Sequence, residues 1–191
     1  MVKANANDKQ TVVSILSKSF NENRSVNYVL RRDSSRESRL KKLMEYSFDY
    51  CSNFGEVFLS EDRKACALIV LPDKRKTNFK SIYLDLKLAL TCVGLANLGK
   101  VMKRESKIKS LHPKTPMYYL WFIGVDPDVQ NKGLGSKLLK QLIERGKELS
   151  RPIYLETSTP KNLPWYEKFG FSVYNVLDDF GYRLFCLKAE N

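Results

Sequence analysis

The chain has few cysteines, and no two of them have the spacing of a metal or redox site. Four cysteines are spread over 191 residues in apolar surroundings: Cys51, Cys66, Cys92 and Cys186. No two form a C-x-x-C pair, so the sequence indicates neither a zinc site nor a redox motif. Isolated cysteines among apolar residues are typical of buried free thiols in a reducing compartment. We therefore predict free thiols, no metal site and a cytoplasmic protein.

The sequence also lacks an apolar run of the length that a leader or a membrane span needs. The first residues, MVKANAND, contain no apolar signal-peptide core. The most apolar window covers residues 88–98, far short of the roughly 18 residues that cross a membrane. We predict a buried helix for this window and no membrane span.

Histidine is almost absent from the chain. The one histidine, His112, precedes Pro113 in a basic segment, and no serine or cysteine elbow accompanies it. Because a nucleophilic triad needs a histidine together with such an elbow, the sequence argues against one. We predict that His112 lies in a surface loop.

Acidic residues are fewer than basic ones. Lysine and arginine total 33 against 21 aspartates and glutamates, which gives a net charge of +12. This sign suits a polyanionic ligand or an acidic partner surface, and it equally suits plain solubility. Nucleic-acid binding is not expected, because the basic residues are spread out and no nucleic-acid motif is present.

Length and hydrophobic patterning predict one globular domain of mixed α/β type over residues 1–191. Apolar residues at helical spacing predict helices over residues 11–21, 35–54, 134–149 and 162–169. Runs rich in β-branched and aromatic residues predict strands over 56–60, 64–71, 118–125, 153–158, 171–176 and 182–187. Residues 73–116 read as one or two helices followed by a basic loop.

The most informative segment is an apolar strand that leads through a glycine-rich turn into a helix. It covers residues 118–136 and reads YYLWFIGVDPDVQNKGLGS. The N–H groups at a helix N-terminus have no internal acceptor, and the helix dipole adds about 0.3–1 kcal/mol for a nearby anion. Such a turn is typical of a phosphate-binding site.

Three kinds of phosphate-binding loop can be compared with this turn. The P-loop pattern fails, because Lys137 follows a serine instead of a glycine. The dinucleotide pattern G-x-G-x-x-G fails at its last position, which is Leu138. The third pattern, Q/R-x-x-G-x-G/A, is matched by Gln130, Gly133 and Gly135.

With this loop and its upstream strand, the chain resembles the GNAT superfamily of acyl-CoA-dependent N-acyltransferases. A second matching segment, Y-E-K-F-G-F over residues 166–171, follows at the distance that the family has. The resemblance covers the cofactor-binding part, from about residue 117 to residue 171. It implies a GNAT-like fold, a mixed sheet with two splayed central strands ending near Val125 and Ser158. The pantetheine arm would lie in the gap between them.

The resemblance implies acetyl-CoA, or coenzyme A, as the cofactor. The turn would wrap the pyrophosphate with its N–H groups, helped by the Ser136 side chain and the charge of Lys132. On the strand, the Val125 N–H would stabilise the oxyanion, and Ile123 would hold the pantetheine amides. The candidate cofactor-binding residues are Ile123, Gly124, Val125, Gln130, Asn131, Lys132, Gly133, Leu134, Gly135, Ser136 and Asn162.

Two residues are candidates for the proton transfers. The resemblance places Tyr166 near the cofactor sulfur, where its phenol, with a pKa of about 10, would protonate the leaving thiolate; alternatively it is a core aromatic. Glu156, on the strand bordering the cleft, is the candidate base, or else a carboxylate satisfied by its neighbours. Asp126 is the second choice, although Asp-Pro commonly starts a turn. Asn162 either bonds the pantetheine arm or caps its helix.

Two functions from different classes follow from these residues. The leading hypothesis is an N-acetyltransferase that moves an acetyl group from acetyl-CoA to a primary amine by direct attack in a ternary complex. The alternative is a non-catalytic coenzyme A sensor or scaffold on the same fold. The expected acceptor is a small-molecule amine, with a protein lysine as another possibility, and the basic composition favours a neutral or anionic amine over a polycation. The family usually has a short connection where residues 73–116 lie, so the resemblance implies a helical insertion there, near the acceptor side of the cleft.

Overall fold

The computed structural model describes residues 1–31, 33–75 and 79–190. In chain order the elements are β1 (Val2–Lys3), α1 (Lys9–Ser19), α2 (Arg24–Val29), α3 (Arg36–Phe54), β2 (Gly55–Leu59), β3 (Ala65–Val70), α4 (Phe79–Leu88), α5 (Leu95–Leu111), β4 (Tyr118–Val125), α6 (Leu134–Glu148), β5 (Ile153–Thr157), α7 (Leu163–Glu167), β6 (Ser172–Leu177) and β7 (Leu184–Ala189). A π-helical turn, Ala89–Val93, lies between α4 and α5. The predicted helices and strands are confirmed within a few residues at their ends, while β1 and α2 were not predicted.

The described strands form one mixed sheet in the order β1-β2-β3-β4-β5-β7-β6. Neighbouring strands are antiparallel, with the exception of the central pair β4 and β5, which are parallel. The predicted mixed α/β fold class is therefore confirmed. The parallel pair needs a crossover, and α6 supplies it between the two strands.

The central strands separate soon after they begin. β4 and β5 pair only at Tyr118 with Ile153 and at Tyr119 with Tyr154. Further along β4 the register with β3 shifts, and Trp121 has no partner there. An extra residue of this kind bends the strand that carries it. A gap therefore opens in the middle of the sheet toward the carboxyl ends of β4 and β5, as expected for splayed strands.

Helices cover both faces of the sheet. On one face, α1 and α3 pack on the strands, with Leu16, Met44 and Phe122 in their shared core. On the other face, α6 and α7 pack around a second core that includes Leu142 and Tyr166. The helix α5 lies against the last hairpin through a third, smaller cluster. The gap between β4 and β5 thus lies between two layers of helices.

Residues 79–111 form the two helices α4 and α5, in line with the prediction of one or two helices in this region. The prediction of a single buried helix over residues 88–98 is wrong. Gly94, with φ of +76°, ends the π-helical turn and breaks the window. Among the described side chains of this window, only Cys92 and Val93 are fully buried, and Leu90 is 54% exposed.

Two predictions from composition can be compared with the structure. All four cysteines are buried free thiols, as predicted. No helix within the described part of the chain is long and apolar enough to cross a membrane.

Candidate functional site

The glycine-rich turn is a loop of free amides between β4 and α6. Asp126 starts it by accepting a hydrogen bond from the Asp128 N–H at 3.3 Å, so the turn-starting role expected of Asp-Pro is present. Asn131 and Gly133 have φ of +64° and +76°, which curls the chain before α6 begins. Within the described residues, no backbone or side-chain acceptor receives the N–H groups of residues 131–136. Such a concave set of N–H groups is suited to an anion.

The side chains around this loop leave room for a ligand against the end of β4. A Cβ placed at Gly135 would lie 3.3 Å from Val125 Cγ2 and 3.7 Å from Trp165 Cζ2. The Trp165 indole N–H donates to Ser136 Oγ at 2.9 Å. Because the hydroxyl accepts this bond, its own O–H remains available as a donor beside the free amides. Lys132 is exposed and does not line the cleft described below.

The end of β4 presents further donors to the gap. The Asp126 N–H donates to the Lys64 carbonyl on the β3 side at 2.8 Å. Because successive N–H groups of a strand point to opposite edges, those of Val125 and Ile123 point away from β3, toward the gap. Gly124 packs on α1, where an added Cβ would lie 3.0 Å from Leu16 Cδ2. The strand end is therefore held from one side and open on the other.

Tyr166 lies on the opposite side of the gap, beside the loop. Its ring is 5% exposed and packs on Trp165 and Phe171 at centroid distances of 4.7 and 5.6 Å. Burial raises the pKa of its phenol above the ordinary value. Among the described residues none forms a hydrogen bond with its hydroxyl. Asn162 precedes α7 without a side-chain capping bond, so its amide remains available to a ligand in the cleft.

Glu156 belongs to a buried polar cluster on the other face of the sheet. Its carboxylate lies 2.9 Å from His112 Nε2 and 2.5 Å from the Tyr119 hydroxyl. The side chains of His112 and Glu156 are only 11% and 6% exposed. The prediction that His112 lies in a surface loop is therefore wrong. His112 follows α5, and the start of β4 beside β5 brings Tyr119 and Glu156 to it.

One continuous cleft with a volume of about 1810 Å³ connects these parts. It is not lined by Lys132 or by Asp126, the second-choice base, which pairs with Lys18. The other predicted site residues all line it: Ile123, Gly124, Val125, Gln130, Asn131, Gly133, Leu134, Gly135, Ser136, Glu156, Asn162 and Tyr166. His112 also lines it. The sheet gap thus has a phenol on one side and a histidine–carboxylate pair on the other.

The far end of the cleft is a chamber walled by aromatic and apolar side chains. Tyr46 and Tyr50 on α3 meet Trp121 on β4 at ring distances of 6.2 and 5.6 Å. The carboxylate of Asp85 on α4 accepts a hydrogen bond from the Tyr46 hydroxyl at 2.9 Å. It also forms an ion pair with Arg75 at 2.9 Å. α4, the π-helical turn and α5 supply further wall residues, among them Leu88, Val93, Met102 and Ile108.

The cleft joins the free amides and the Ser136 hydroxyl of the loop to the strand N–H groups that face the gap. Residues 73–171 match the acetyltransferase (GNAT) family. This match covers about half of the chain, and the chain belongs to this family.

Comparison with individual proteins agrees with this assignment. The chain is 38% identical over 66 residues to an uncharacterized N-acetyltransferase of Schizosaccharomyces pombe, covering 32% of this chain and 27% of that protein. This protein and another curated relative are matched over 27% and 8% of their own lengths.

Two solved structures share the fold over almost the whole chain. A histone acetyltransferase HPA2 and related acetyltransferase from Corynebacterium glutamicum has a TM-score of 0.70 at 17% identity, covering 99% of this chain and 94% of that one. The Drosophila melanogaster polyamine N-acetyltransferase, which catalyses the formation of N-acetylagmatine, has a TM-score of 0.65 at 14% identity, covering 99% of this chain and 98% of that one. At these identities the likeness concerns the fold.

Proposed function

We propose that this protein is an N-acetyltransferase that moves an acetyl group from acetyl-CoA to a primary amine by direct attack in a ternary complex. The observation that carries the proposal is the run of free N–H groups at residues 131–136, at the open end of the gap between β4 and β5. Membership of the acetyltransferase (GNAT) family supports it. When bound, acetyl-CoA would supply the thioester whose acetyl group is transferred.

The chain's own groups would hold the cofactor along the cleft. The loop amides and the Ser136 hydroxyl would bind the diphosphate, the N–H of Ile123 would bind the arm, and Asn162 would add a side-chain amide. The N–H of Val125 would stabilise the negative charge that develops on the carbonyl oxygen. One donor of this kind contributes about 10²–10³ in rate.

Acid and base would act from opposite faces of the gap. Tyr166 would donate its phenolic proton to the leaving thiolate, because burial raises its pKa and keeps it protonated at neutral pH. The proton of the amine would leave toward the opposite side of the gap, where the carboxylate of Glu156 lies. A positioned acid or base contributes about 10²–10⁴ in rate.

The acceptor would be a small amine with an apolar body. The chamber has the rings of Tyr46, Tyr50 and Trp121 in its wall, and burial of an apolar body against them is favourable by about 25 cal/mol per Å². Asp85 is already paired with Arg75. A polycation would therefore find little unpaired negative charge there.

The test is release of thiol from acetyl-CoA with a panel of amines. We expect turnover, with phenethylamine and other apolar-bodied amines ahead of spermidine in kcat/KM. Equal or better rates with spermidine would contradict the proposed acceptor class. Cofactor binding without thiol release for any amine would favour the alternative, a non-catalytic coenzyme A sensor or scaffold.

A further inference from the structure

We infer that His112 is the residue that receives the proton of the acceptor amine, and that Glu156 acts through it as a positioning residue. The inference rests on the proposed acetyl transfer and assigns a group for which the sequence had indicated no role. The juxtaposition that carries it is His112, Glu156 and Tyr119, joined in one buried cluster on the wall of the cleft.

Glu156 itself is poorly placed to meet an amine. Each of its carboxylate oxygens already has a partner, since Oε1 lies 2.9 Å from His112 Nε2 and Oε2 lies 2.5 Å from the Tyr119 hydroxyl. Only 6% of the side chain is exposed. Burial and the nearby Glu156 raise the pKa of Tyr119, so its hydroxyl keeps its proton and donates to the carboxylate. A substrate nitrogen would have to displace one of these donors.

His112 has the free position that Glu156 lacks. An ionised carboxylate only accepts hydrogen bonds, so the proton of the neutral imidazole lies on Nε2 and the lone pair on Nδ1. Among the described residues none forms a hydrogen bond with Nδ1. The Tyr119 ring, 4.9 Å from the imidazole, holds it from the side. This arrangement makes Nδ1 a fixed proton acceptor whose tautomer is set by Glu156.

The proton balance follows directly. As the N–C bond forms, the amine proton passes to Nδ1 of His112, and Glu156 stabilises the resulting imidazolium without being protonated. As the C–S bond breaks, the thiolate takes the phenolic proton of Tyr166. Tyr166 then regains a proton from water and His112 gives one up to water, so no other reactant is needed.

Other titratable groups also lie around this cluster. Arg104 and Glu105 on α5 form an ion pair with each other. Burial raises the pKa of Tyr174 on β6 and that of Cys186 on β7, the latter to about 12. Variants of His112 and Glu156 are therefore needed to decide whether an ionisation seen in the rate of acetyl transfer belongs to this pair.

The experiment compares His112→Ala, His112→Gln and Glu156→Gln with the wild type, using phenethylamine as the acceptor. We expect His112→Gln to lower kcat by about 10² or more without changing the affinity for acetyl-CoA, and to remove the acidic limb of the pH profile. Added imidazole should restore activity to His112→Ala. Glu156→Gln should keep an acidic limb at a shifted pH. Lys114→Gln, an exposed change two residues from His112, should behave like the wild type.

The outcomes separate the possible failures. Loss of activity in Glu156→Gln with near wild-type kcat in His112→Gln would overturn the inference and leave Glu156 as the direct base. His112 would have only a packing role if two results occurred together. Imidazole would fail to restore the reduced activity of His112→Ala, and the acidic limb of the pH profile would be unchanged in His112→Gln. If the wild type transfers acetyl to no amine, the acetyltransferase proposal itself fails, and this inference fails with it.

Discussion

Removal of the Tyr166 hydroxyl distinguishes a catalytic role of this residue from a packing role. Its ring is enclosed by Trp165 and Phe171, while its hydroxyl has no partner among the described residues. Tyr166→Phe should lower kcat by about 10² and leave the affinity for coenzyme A unchanged, because only the proton donor is lost. Steady-state kinetics and calorimetry measure the two quantities.

A second tyrosine provides a matched control. The Tyr174 hydroxyl is buried, has no hydrogen-bond partner within residues 1–31, 33–75 and 79–190, and lies outside the cleft. Tyr174→Phe should therefore keep full activity, and it should not lower the free energy of unfolding, because an unsatisfied hydroxyl is removed. Wild-type kcat in Tyr166→Phe would assign that tyrosine to the core alone.

At single residues, sequence reasoning succeeds where a local motif sets the geometry. Gly133 and Gly135 were singled out from the spacing of their loop, and the structure gives that loop its free amides. His112 could not be identified in this way. It is 44 positions from Glu156, and the pair forms only because β4 starts beside β5. Nothing in the neighbourhood of His112 in sequence signals this long-range pairing.

At the scale of elements, the junction between α3 and β2 depends on one glycine. A Cβ at Gly55 would lie 1.9 Å from the Ile69 carbonyl oxygen, which belongs to the backbone of β3 and has no room to move aside. Gly55→Ala should lower the free energy of unfolding by about 3 kcal/mol through this overlap.

Chemical denaturation of Gly55→Ala tests this close approach. The same change at Gly99 is the control, because that glycine is helical and exposed, and an added Cβ would meet nothing within 4 Å. Gly99→Ala should stabilise the protein by up to about 1 kcal/mol. Equal stability of Gly55→Ala and the wild type would show that β2 and β3 can separate at this point.

Elements were predictable where periodicity or turn chemistry was strong. The helix predicted over residues 35–54 agrees with α3 to within one residue, and the strongly amphipathic α6 followed the loop as expected. The short α2 was missed, because six residues carry too little periodicity to indicate a helix. The prediction of one buried helix over residues 88–98 relied on their apolar composition. It did not take into account that Gly94 ends the π-helical turn within this window.

For the whole molecule, the buried phenols and thiols predict a loss of stability at high pH. Burial raises the pKa of Tyr118, Tyr166, Cys51 and Cys66 in the folded chain. The unfolded chain releases these protons near its ordinary pKa values of about 8.5 for thiols and 10 for phenols, whereas the folded chain keeps them. The free energy of unfolding should therefore be unaffected by these groups below about pH 8 and fall above it, by about 1.4 kcal/mol per pH unit for each proton.

Urea denaturation between pH 7 and pH 11 measures this dependence. Tyr166→Phe removes one of the buried protons, so its stability should fall less steeply above pH 10 than that of the wild type. A free energy of unfolding that stays constant or rises over this range would contradict the burial of these groups.

The fold as a whole was more predictable than the cleft. A mixed α/β sheet with a gap between its central strands followed from the order of elements and from the family resemblance. The chamber, by contrast, is made by residues that are far apart in sequence, with Tyr46 from α3, Asp85 from α4 and Trp121 from β4. Such a wall depends on tertiary packing, which local patterns do not encode.

The central claim is that the amides of residues 131–136 bind the diphosphate of coenzyme A, and calorimetric titration with coenzyme A tests it most directly. The wild type should bind with measurable heat, and Gly135→Glu should not, because its carboxylate would stand at the phosphates beside Val125 and Trp165. Gly99→Glu, the same change at an open site, should bind as the wild type does. Absence of heat with the wild type, or unchanged affinity in a folded Gly135→Glu variant, would contradict the account.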